Sequence, residues 1–177
     1  FMSKIAFIFP GQGAQKTGMG KDFYEQSQRA AEIYDAASKR LKEEMEIDIR
    51  TLCFDENDKL DQTAYTQAAL VTTCLAMART LEEKGVRADV TAGLSLGEYC
   101  AIAVAGGMSD LDAVWAVRKR GVLMEEAVPT GVGAMAAVLG LSAEQIEKAT
   151  EEIKGVTVAN YNCPGQVVIT GETDSVD

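Results

Sequence analysis

The chain contains 177 residues, of which 47% are hydrophobic and 25% are charged, and its formal net charge is −10. Such a composition is typical of a globular protein with one domain or slightly more. The negative charge argues against nucleic acids and anionic membranes as general partners, and no apolar run reaches the length of a membrane span. The four cysteines show neither a C-x-x-C pair nor the spacing of metal ligands, which predicts a reducing, cytoplasmic compartment and no metal site.

The N-terminal stretch predicts a strand over Lys4–Phe9, followed by a tight loop over Pro10–Gln15. Two nucleotide motifs fail here, because Lys16 stands where the dinucleotide fingerprint needs glycine and Met19 stands where a P-loop needs lysine. Open α/β sheets bind ligands at the carboxyl ends of their strands, so the backbone N–H groups of this loop are candidates for an oxyanion site near Ser95. A plain glycine-rich connection is the alternative.

Hydrophobic periodicity predicts two helices before the central motif, over Lys21–Glu44 and Tyr65–Glu82. The first has one apolar face, whereas the second is largely apolar and is expected to be more deeply buried. Gly85 is its stop signal. Gln67 lies at the start of the second helix and is a candidate substrate-binding residue, with a solvated amide at a helix start as the alternative.

The central motif is G-x-S-x-G over Gly93–Gly97. Ala88–Ala92 before it is short enough for a buried strand, and Leu96–Ala105 after it predicts a helix that is apolar nearly all round. Strand, tight turn and helix are the context in which this motif indicates a nucleophile elbow, with Ser95 exposed at the turn. The helix N-terminus behind Ser95 would favour the oxyanion that forms when an ester or thioester is attacked. A glycine-rich turn with an incidental serine is the alternative.

A further helix is predicted from Asp110 to about Ala127, opened by Ser109 with Asp112 in a variant of the capping box. It carries three consecutive basic residues in an otherwise acidic chain: Arg118, Lys119 and Arg120. They are interpreted either as a solvated face or as the source of one arginine that binds a carboxylate through its bidentate fork.

Residues 130–177 have a different pattern and predict the order β-α-β-β, followed by the opening of a helix. The predicted elements are a strand over Ala134–Leu139, a helix opened by the capping box of Ser142 and Gln145 and ending at Lys154, a strand over Gly155–Ala159, a turn over Asn160–Gly165 and a strand over Gln166–Thr170. This order matches a ferredoxin-like unit without its last helix and strand. We therefore expect two domains, over 1–129 and 130–177, and an incomplete chain. The sequence contains no histidine. Because an activated serine usually needs a general base, the base is expected in a part of the protein outside these residues.

Several motifs, taken together in order and spacing, carry a specific resemblance. They are F-P-G-Q-G-A-Q from Phe9, T-Q-A-A-L from Thr66, G-L-S-L-G-E-Y from Gly93, R-G-V-L-M-E-E-A-V-P from Arg120, G-A-M-A-A-V from Gly133 and N-C-P-G-Q-V-V-I-T-G from Asn162. Over essentially all of Ile5–Gly171 the sequence resembles the malonyl-CoA:acyl carrier protein transacylase family of fatty acid synthesis, and the related acyltransferase domains of polyketide synthases.

The resemblance implies a fold and a set of roles. The fold would be an α/β-hydrolase-like core with an inserted ferredoxin-like α+β subdomain, both only partly present. Ser95 would accept the acyl group, the backbone N–H groups of Gln12 and Leu96 would form the oxyanion hole, and Arg120 would bind the malonyl carboxylate. Malonyl-CoA and acyl carrier protein would be the partners, with no metal or redox cofactor. The family usually has histidine immediately before the serine, and this sequence has Leu94 there.

Other functions stay open at this stage. The missing histidine favours a non-catalytic fragment or binding module of the same family. The polyketide acyltransferases share the same motifs. A serine thioesterase or esterase would also use the G-x-S-x-G turn, although the Gln12 loop and Arg120 do not suit it.

Overall fold

A computed structural model describes residues 4–129 and 131–177. The chain forms two compact units, one ending at Met124 and one over Glu125–Asp177. The elements of the first unit, with the helix that leads out of it, are β1 Ala6–Phe9, α1 Lys21–Gln26, α2 Gln28–Leu41, α3 Ile49–Phe54, α4 Thr63–Glu83, β2 Val90–Gly93, α5 Gly97–Val104 and α6 Asp110–Ala127. Those of the second are β3 Gly133–Leu139, α7 Ala143–Glu151, β4 Val156–Cys163, β5 Gln166–Glu172 and α8 Thr173–Val176.

In the first unit, β1 and β2 pair in parallel, with Phe9 opposite Gly93. Parallel strands in register end at the same edge of the sheet, so the loop after Phe9 and the turn after Gly93 lie side by side there. The predicted α/β class with a parallel sheet is confirmed.

The prediction that the strand before the serine is buried is wrong for the described residues. Val90 is 55% exposed and Ile8, on the neighbouring strand, is 77% exposed. The helix α5 contacts both strands, and it is itself buried on one side, because Ile102 is exposed while Cys100 is fully buried. Short apolar runs cannot by themselves tell one-sided from two-sided burial.

The hydrophobic core of the first unit is built around α4, which confirms the prediction of a deeply buried helix. Tyr34 of α2 is fully buried against it and hydrogen-bonds Thr73 Oγ1 at 2.6 Å. Burial raises the pKa of Tyr34 above its ordinary value, so the phenol stays neutral. Gly85 follows α4 with φ of +83°, as the stop signal predicted. The buried residues of α4 are Thr66, Gln67, Ala68, Ala69, Leu70, Val71, Thr72, Thr73, Leu75, Ala76, Ala78 and Thr80.

The single helix predicted over Lys21–Glu44 is instead two helices. Ser27 has extended backbone angles, φ −127° and ψ 116°, and its hydroxyl accepts a hydrogen bond from the N–H of Ala30 at the start of α2. It also bonds Thr80 Oγ1 at 2.9 Å. A serine that can cap a helix competes with helical continuation, and periodicity does not register that competition. The short helix α3, capped by Asp48, was not predicted.

The second unit has the predicted element order, with shifted bounds. Its sheet has the order β3-β5-β4 with both pairs antiparallel. The capping box of Ser142 and Gln145 forms as predicted, but α7 ends at Glu151 rather than Lys154. The strand β4 runs to Cys163 through two register shifts, so the predicted turn from Asn160 shrinks to Pro164 and Gly165. The domain boundary predicted after Pro129 adjoins residue 130, which lies outside the described residues.

Two further features are reported for the described residues alone. No helix among them is both long enough and apolar enough to cross a membrane. The four cysteines are free thiols. Cys53 is buried, and burial raises the pKa of its thiol to about 12.

Candidate functional site

Ser95 lies at the turn between β2 and α5, and its backbone conformation is unusual. Its φ is +54°, and among the described residues it is the one non-glycine residue with positive φ. This left-handed conformation costs a residue with a Cβ atom free energy, and such conformations concentrate at functional sites. Ser95 itself is exposed. The sharp turn therefore presents its hydroxyl at the carboxyl edge of the sheet, as a nucleophile elbow does.

The two glycines of the motif are required by close backbone contacts. A Cβ on Gly93 would lie 2.0 Å from the carbonyl carbon of Gly97, and a Cβ on Gly97 would lie 2.5 Å from the carbonyl oxygen of Phe9. Real Cβ atoms do not approach other atoms so closely. The turn also hydrogen-bonds β1 directly, because the N–H of Leu94 donates to the Phe9 carbonyl at 3.0 Å. The position of Ser95 is thus set by backbone packing.

The loop after β1 brings Gln12 to the same edge of the sheet. The Gln12 side chain donates to Thr63 Oγ1 at 3.0 Å, which ties the loop to the first residue of α4. Gln15 Nε2 donates to Asp61 at 2.8 Å and fixes the loop a second time. Within the part of the chain that the structure describes, the backbone N–H groups of Gln12 and Leu96 have no acceptor. Two free N–H groups in neighbouring loops at the start of a helix can stabilise an oxyanion.

Arg120 reaches Ser95 from α6. Its Nη2 donates to Ser95 Oγ at 3.0 Å and its Nη1 donates to Gln67 Oε1 at 2.7 Å. Among the described residues Arg120 forms no ion pair with a carboxylate. Its positive charge is therefore uncompensated within this part of the protein, directly beside the serine hydroxyl.

Gln67 is fully buried, so the alternative of a solvated amide at the helix start is wrong. Besides accepting from Arg120, it donates through Nε2 to the sulfur of Met124 at 3.3 Å. Arg120 and Met124 are four residues apart on α6 and so lie on one face of that helix. Sequence reasoning missed Met124 and Thr63; the spacing of Arg120 and Met124 is a signal that could have found the methionine.

The three consecutive basic residues do not form one cluster. Arg118 is buried, with 7% of its surface exposed, and donates to the backbone carbonyls of Glu44 and Ala64. Lys119 is exposed and pairs with the Glu44 carboxylate at 2.5 Å. Only Arg120 reaches the site, because successive residues on a helix point about 100° apart.

Cys100 and Leu94 lie close to Ser95 in the sequence. Cys100 lies on α5, and the neighbouring Cys74 thiol together with burial raises its pKa well above the ordinary value, so it stays a neutral, buried thiol. Leu94, where histidine was expected from the resemblance, is 47% exposed and in contact distance of Gly11. Among the described residues no group of His, Cys, Asp or Glu side chains could hold a metal ion.

Fold and site together define an α/β protein with a serine at a sharp strand-to-helix turn and an arginine hydrogen-bonded to that serine. The acyl transferase domain matches residues 6–177, and the chain belongs to this family. This confirms the resemblance recognised in the sequence motifs.

Individual relatives agree with the family assignment. The malonyl CoA-acyl carrier protein transacylase of Bacillus subtilis is 49% identical over 181 residues, covering 99% of this chain and 56% of that protein. The crystal structure of the Clostridium perfringens transacylase of the same name is similar with a TM-score of 0.87 at 42% identity, over 98% of this chain and 55% of that one. A malonyl-transacylase solved in complex with its type II polyketide synthase acyl carrier protein gives 0.87 at 38% identity, over 98% and 57%. The chain thus spans little more than half the length of these relatives.

Proposed function

We propose that Ser95 accepts a malonyl group from malonyl-CoA and passes it to the phosphopantetheine thiol of an acyl carrier protein, in fatty acid biosynthesis. The observation that carries this proposal is the 3.0 Å hydrogen bond from Arg120 Nη2 to Ser95 Oγ. A malonyl ester on Ser95 would hold its free carboxylate a short way along the acyl chain from Oγ, within the reach of this guanidinium. Arginine binds carboxylates through two parallel N–H donors.

The reaction would proceed in two halves through a covalent intermediate. Ser95 Oγ attacks the thioester carbonyl, its O–C bond forms, and the C–S bond to CoA breaks. The backbone N–H groups of Gln12 and Leu96 hold the negative oxygen of the tetrahedral intermediate. The carrier protein's thiol then attacks the serine ester in the same way. The transfer needs no metal or redox cofactor, and CoA enters as part of the substrate.

Removal of the Ser95 proton needs a base, and the 177 residues contain no histidine. We propose that the base belongs to a part of the protein outside these residues. The support for this is that imidazole, the usual partner of a catalytic serine, is the side chain that these residues lack.

The arginine also accounts for acyl selectivity. An acetyl group has no carboxylate to offer, so it leaves the guanidinium unpaired, and unpaired polar groups in a site penalise the wrong substrate. Dicarboxylic acyl groups would therefore be preferred.

Service in polyketide synthesis is a second candidate. It is favoured by the likeness to the malonyl-transacylase solved with a type II polyketide synthase carrier protein. Fatty acid and polyketide synthesis would use the same chemistry on Ser95 and would differ in the carrier protein that accepts the acyl group. Because such carriers are acidic and this chain has a net charge of −10, docking requires a local basic patch.

The finer architecture also belongs to this proposal. The parallel β1-β2 pair with its elbow fits part of an α/β-hydrolase-like core, and the β3-β5-β4 order with α7 fits part of a ferredoxin-like subdomain. We propose a core over 1–129 and a subdomain over 130–177; the observed units divide five residues earlier, after Met124. The four free thiols support a cytoplasmic location, where disulfides are rare.

The test is the intact mass of the protein before and after incubation with malonyl-CoA. We expect a gain of one malonyl group that is lost in Ser95→Ala. With Arg120→Ala, the ratio of malonyl to acetyl ester should fall by at least about tenfold, because the carboxylate loses its partner.

Each alternative predicts a different result. No ester on the intact protein would favour a binding module, and water as the preferred acceptor over a pantetheine thiol would favour a thioesterase. An unchanged malonyl-to-acetyl ratio in Arg120→Ala would contradict the role of that arginine.

A further inference from the structure

Gln67 is fully buried and is hydrogen-bonded to Arg120. Its exposed fraction is 0%, its Oε1 accepts from Arg120 Nη1 at 2.7 Å, and its Nε2 donates to Met124 Sδ at 3.3 Å. Both polar atoms of the amide are thus engaged inside the protein. Gln67 has a hydrogen bond to the arginine and none to the serine.

The orientation of the Gln67 amide follows from the chemistry of its neighbours. A guanidinium can only donate, so the atom facing Arg120 must be the carbonyl oxygen. The amide nitrogen then faces the methionine sulfur, which can accept but cannot donate. A flipped amide would place N–H against N–H at the arginine. The side chain therefore has one stable orientation.

The backbone holds the two helices close enough for this contact. A Cβ on Gly121, next to Arg120 on α6, would lie 2.6 Å from the carbonyl oxygen of Thr63 in the first turn of α4. Gly121 and Gln67 are both buried at this crossing. With Nη1 held by Gln67, the remaining arm of the guanidinium fork points to Ser95, where Nη2 bonds Oγ.

The charge of the partner matters as much as its position. Arg120 is half-buried, and its side-chain hydrogen bonds among the described residues go to the neutral amide of Gln67 and to the Ser95 hydroxyl, with no carboxylate among its partners. A neutral acceptor orients the guanidinium without neutralising it. A carboxylate in the same place would already satisfy the charge that an incoming carboxylate must meet.

We propose that Gln67 is the positioning residue for Arg120, and that its neutrality keeps the arginine's charge available to the carboxylate of the acyl group. This inference rests on the function proposed above. It assigns Gln67 a role in acyl selectivity through Arg120, without contact to the reacting atoms.

The test compares two substitutions that keep the shape of Gln67. Gln67→Glu keeps the acceptor and adds a negative charge, whereas Gln67→Met keeps the length and removes the acceptor. The matched control is Gln62→Glu, which adds the same charge at the exposed residue just before α4. Each is made in the intact protein, with its melting temperature recorded, and KM and kcat for ester formation are measured with malonyl-CoA and with acetyl-CoA.

We expect Gln67→Glu to raise the KM for malonyl-CoA by about tenfold or more, because the arginine is already paired. The acetyl reaction should change by less than about threefold, since acetyl does not use the arginine's charge. Gln67→Met should lower the malonyl-to-acetyl ratio as well, because no acceptor at this position then orients the Arg120 guanidinium. Gln62→Glu should match the unaltered protein.

Three outcomes would overturn the inference. In the first, neither Gln67 variant changes the malonyl-to-acetyl ratio. In the second, both variants slow the two acyl groups equally, which would indicate a general structural role. In the third, the unaltered protein takes no malonyl group, and then the proposed function fails together with the inference. If the unaltered protein transfers malonyl and neither Gln67 variant changes the malonyl-to-acetyl ratio, the inference fails while the proposed function stands.

Discussion

At the scale of single residues, Ser95 combines a strained backbone with the reactive hydroxyl. Its φ of +54° lies in a turn whose flanking residues Gly93 and Gly97 leave no room for a Cβ atom. The hydroxyl accepts a hydrogen bond from Arg120, which lies on α6 and not in the turn that carries Ser95. Strain of this kind is stabilised by the surrounding fold, and it is expected to reduce stability in return for an exposed nucleophile.

Relief of that strain is measurable. Ser95→Gly and Ser95→Ala both remove Oγ, so both should lose the acyl ester, but only glycine adopts positive φ without a penalty. We expect Ser95→Gly to have a free energy of unfolding about 1 kcal/mol higher than Ser95→Ala, as measured by urea denaturation.

The control is Ser38, which lies inside α2. There the order should reverse, with Ser38→Gly less stable than Ser38→Ala by roughly 1 kcal/mol, because glycine is unfavourable within a helix. If the alanine variant is the more stable one at both positions, Ser95 is not strained.

At the scale of elements, the first turn of α4 connects the parts of the site. Thr63 holds the side chain of Gln12, and Gln67 holds Arg120. Arg118 fastens this part of α4 to the segment that follows α2, because its guanidinium donates to the carbonyls of Ala64 and Glu44 and lies 4.7 Å from the centre of the Tyr65 ring.

Arg118 and Lys119 offer a matched pair, since both bind Glu44, one through its carbonyl and the other through its carboxylate. Arg118→Met removes charged donors from two part-buried carbonyls and should cost about 2–3 kcal/mol of unfolding free energy. Lys119→Met removes an exposed ion pair and should cost at most about 1 kcal/mol. Equal costs in urea denaturation would contradict the assigned role of Arg118.

At the scale of the whole molecule, the two units differ in how much apolar surface they bury. The main hydrophobic core of the described residues lies entirely in the first unit. In the second unit, Ile146 and Val167 are the buried hydrophobic residues among those described, and Leu139, Met135 and Tyr161 are more than half exposed. Apolar burial dominates local stability, so the two units should not be equally stable.

Hydrogen exchange tests this difference. We expect backbone amides of β3, β4 and β5 to exchange at least about tenfold faster than those in the middle of α4, because their sheet opens at a lower free energy. Peptide-level mass spectrometry resolves both regions in one experiment. Equal protection in the two regions would indicate a single cooperative unit.

Much of the local structure was predictable because it depends on short-range chemistry. The elbow follows from glycines at fixed spacing, the capping box of Ser142 formed as expected, Ser109 Oγ accepts from the N–H of Asp112 at the start of α6, and the end of α4 at Gly85 needs only a positive φ. The break at Ser27 was missed because helical periodicity continues across it, whereas the competing cap bond to Ala30 and the contact with Thr80 depend on neighbours. The exposure of β2 was missed for the same reason, since burial is a property of the surroundings.

The sequence by itself determined the family and the strand, turn and helix that carry Ser95, since motifs and caps act over a few residues. Only the tertiary structure decided which of three consecutive basic residues meets Ser95, and that Gln67 is buried against that residue and not solvated. Both depend on how α4 and α6 cross at Gly121. A helix presents its residues in different directions, and only the packing of a second helix selects the direction that becomes the site.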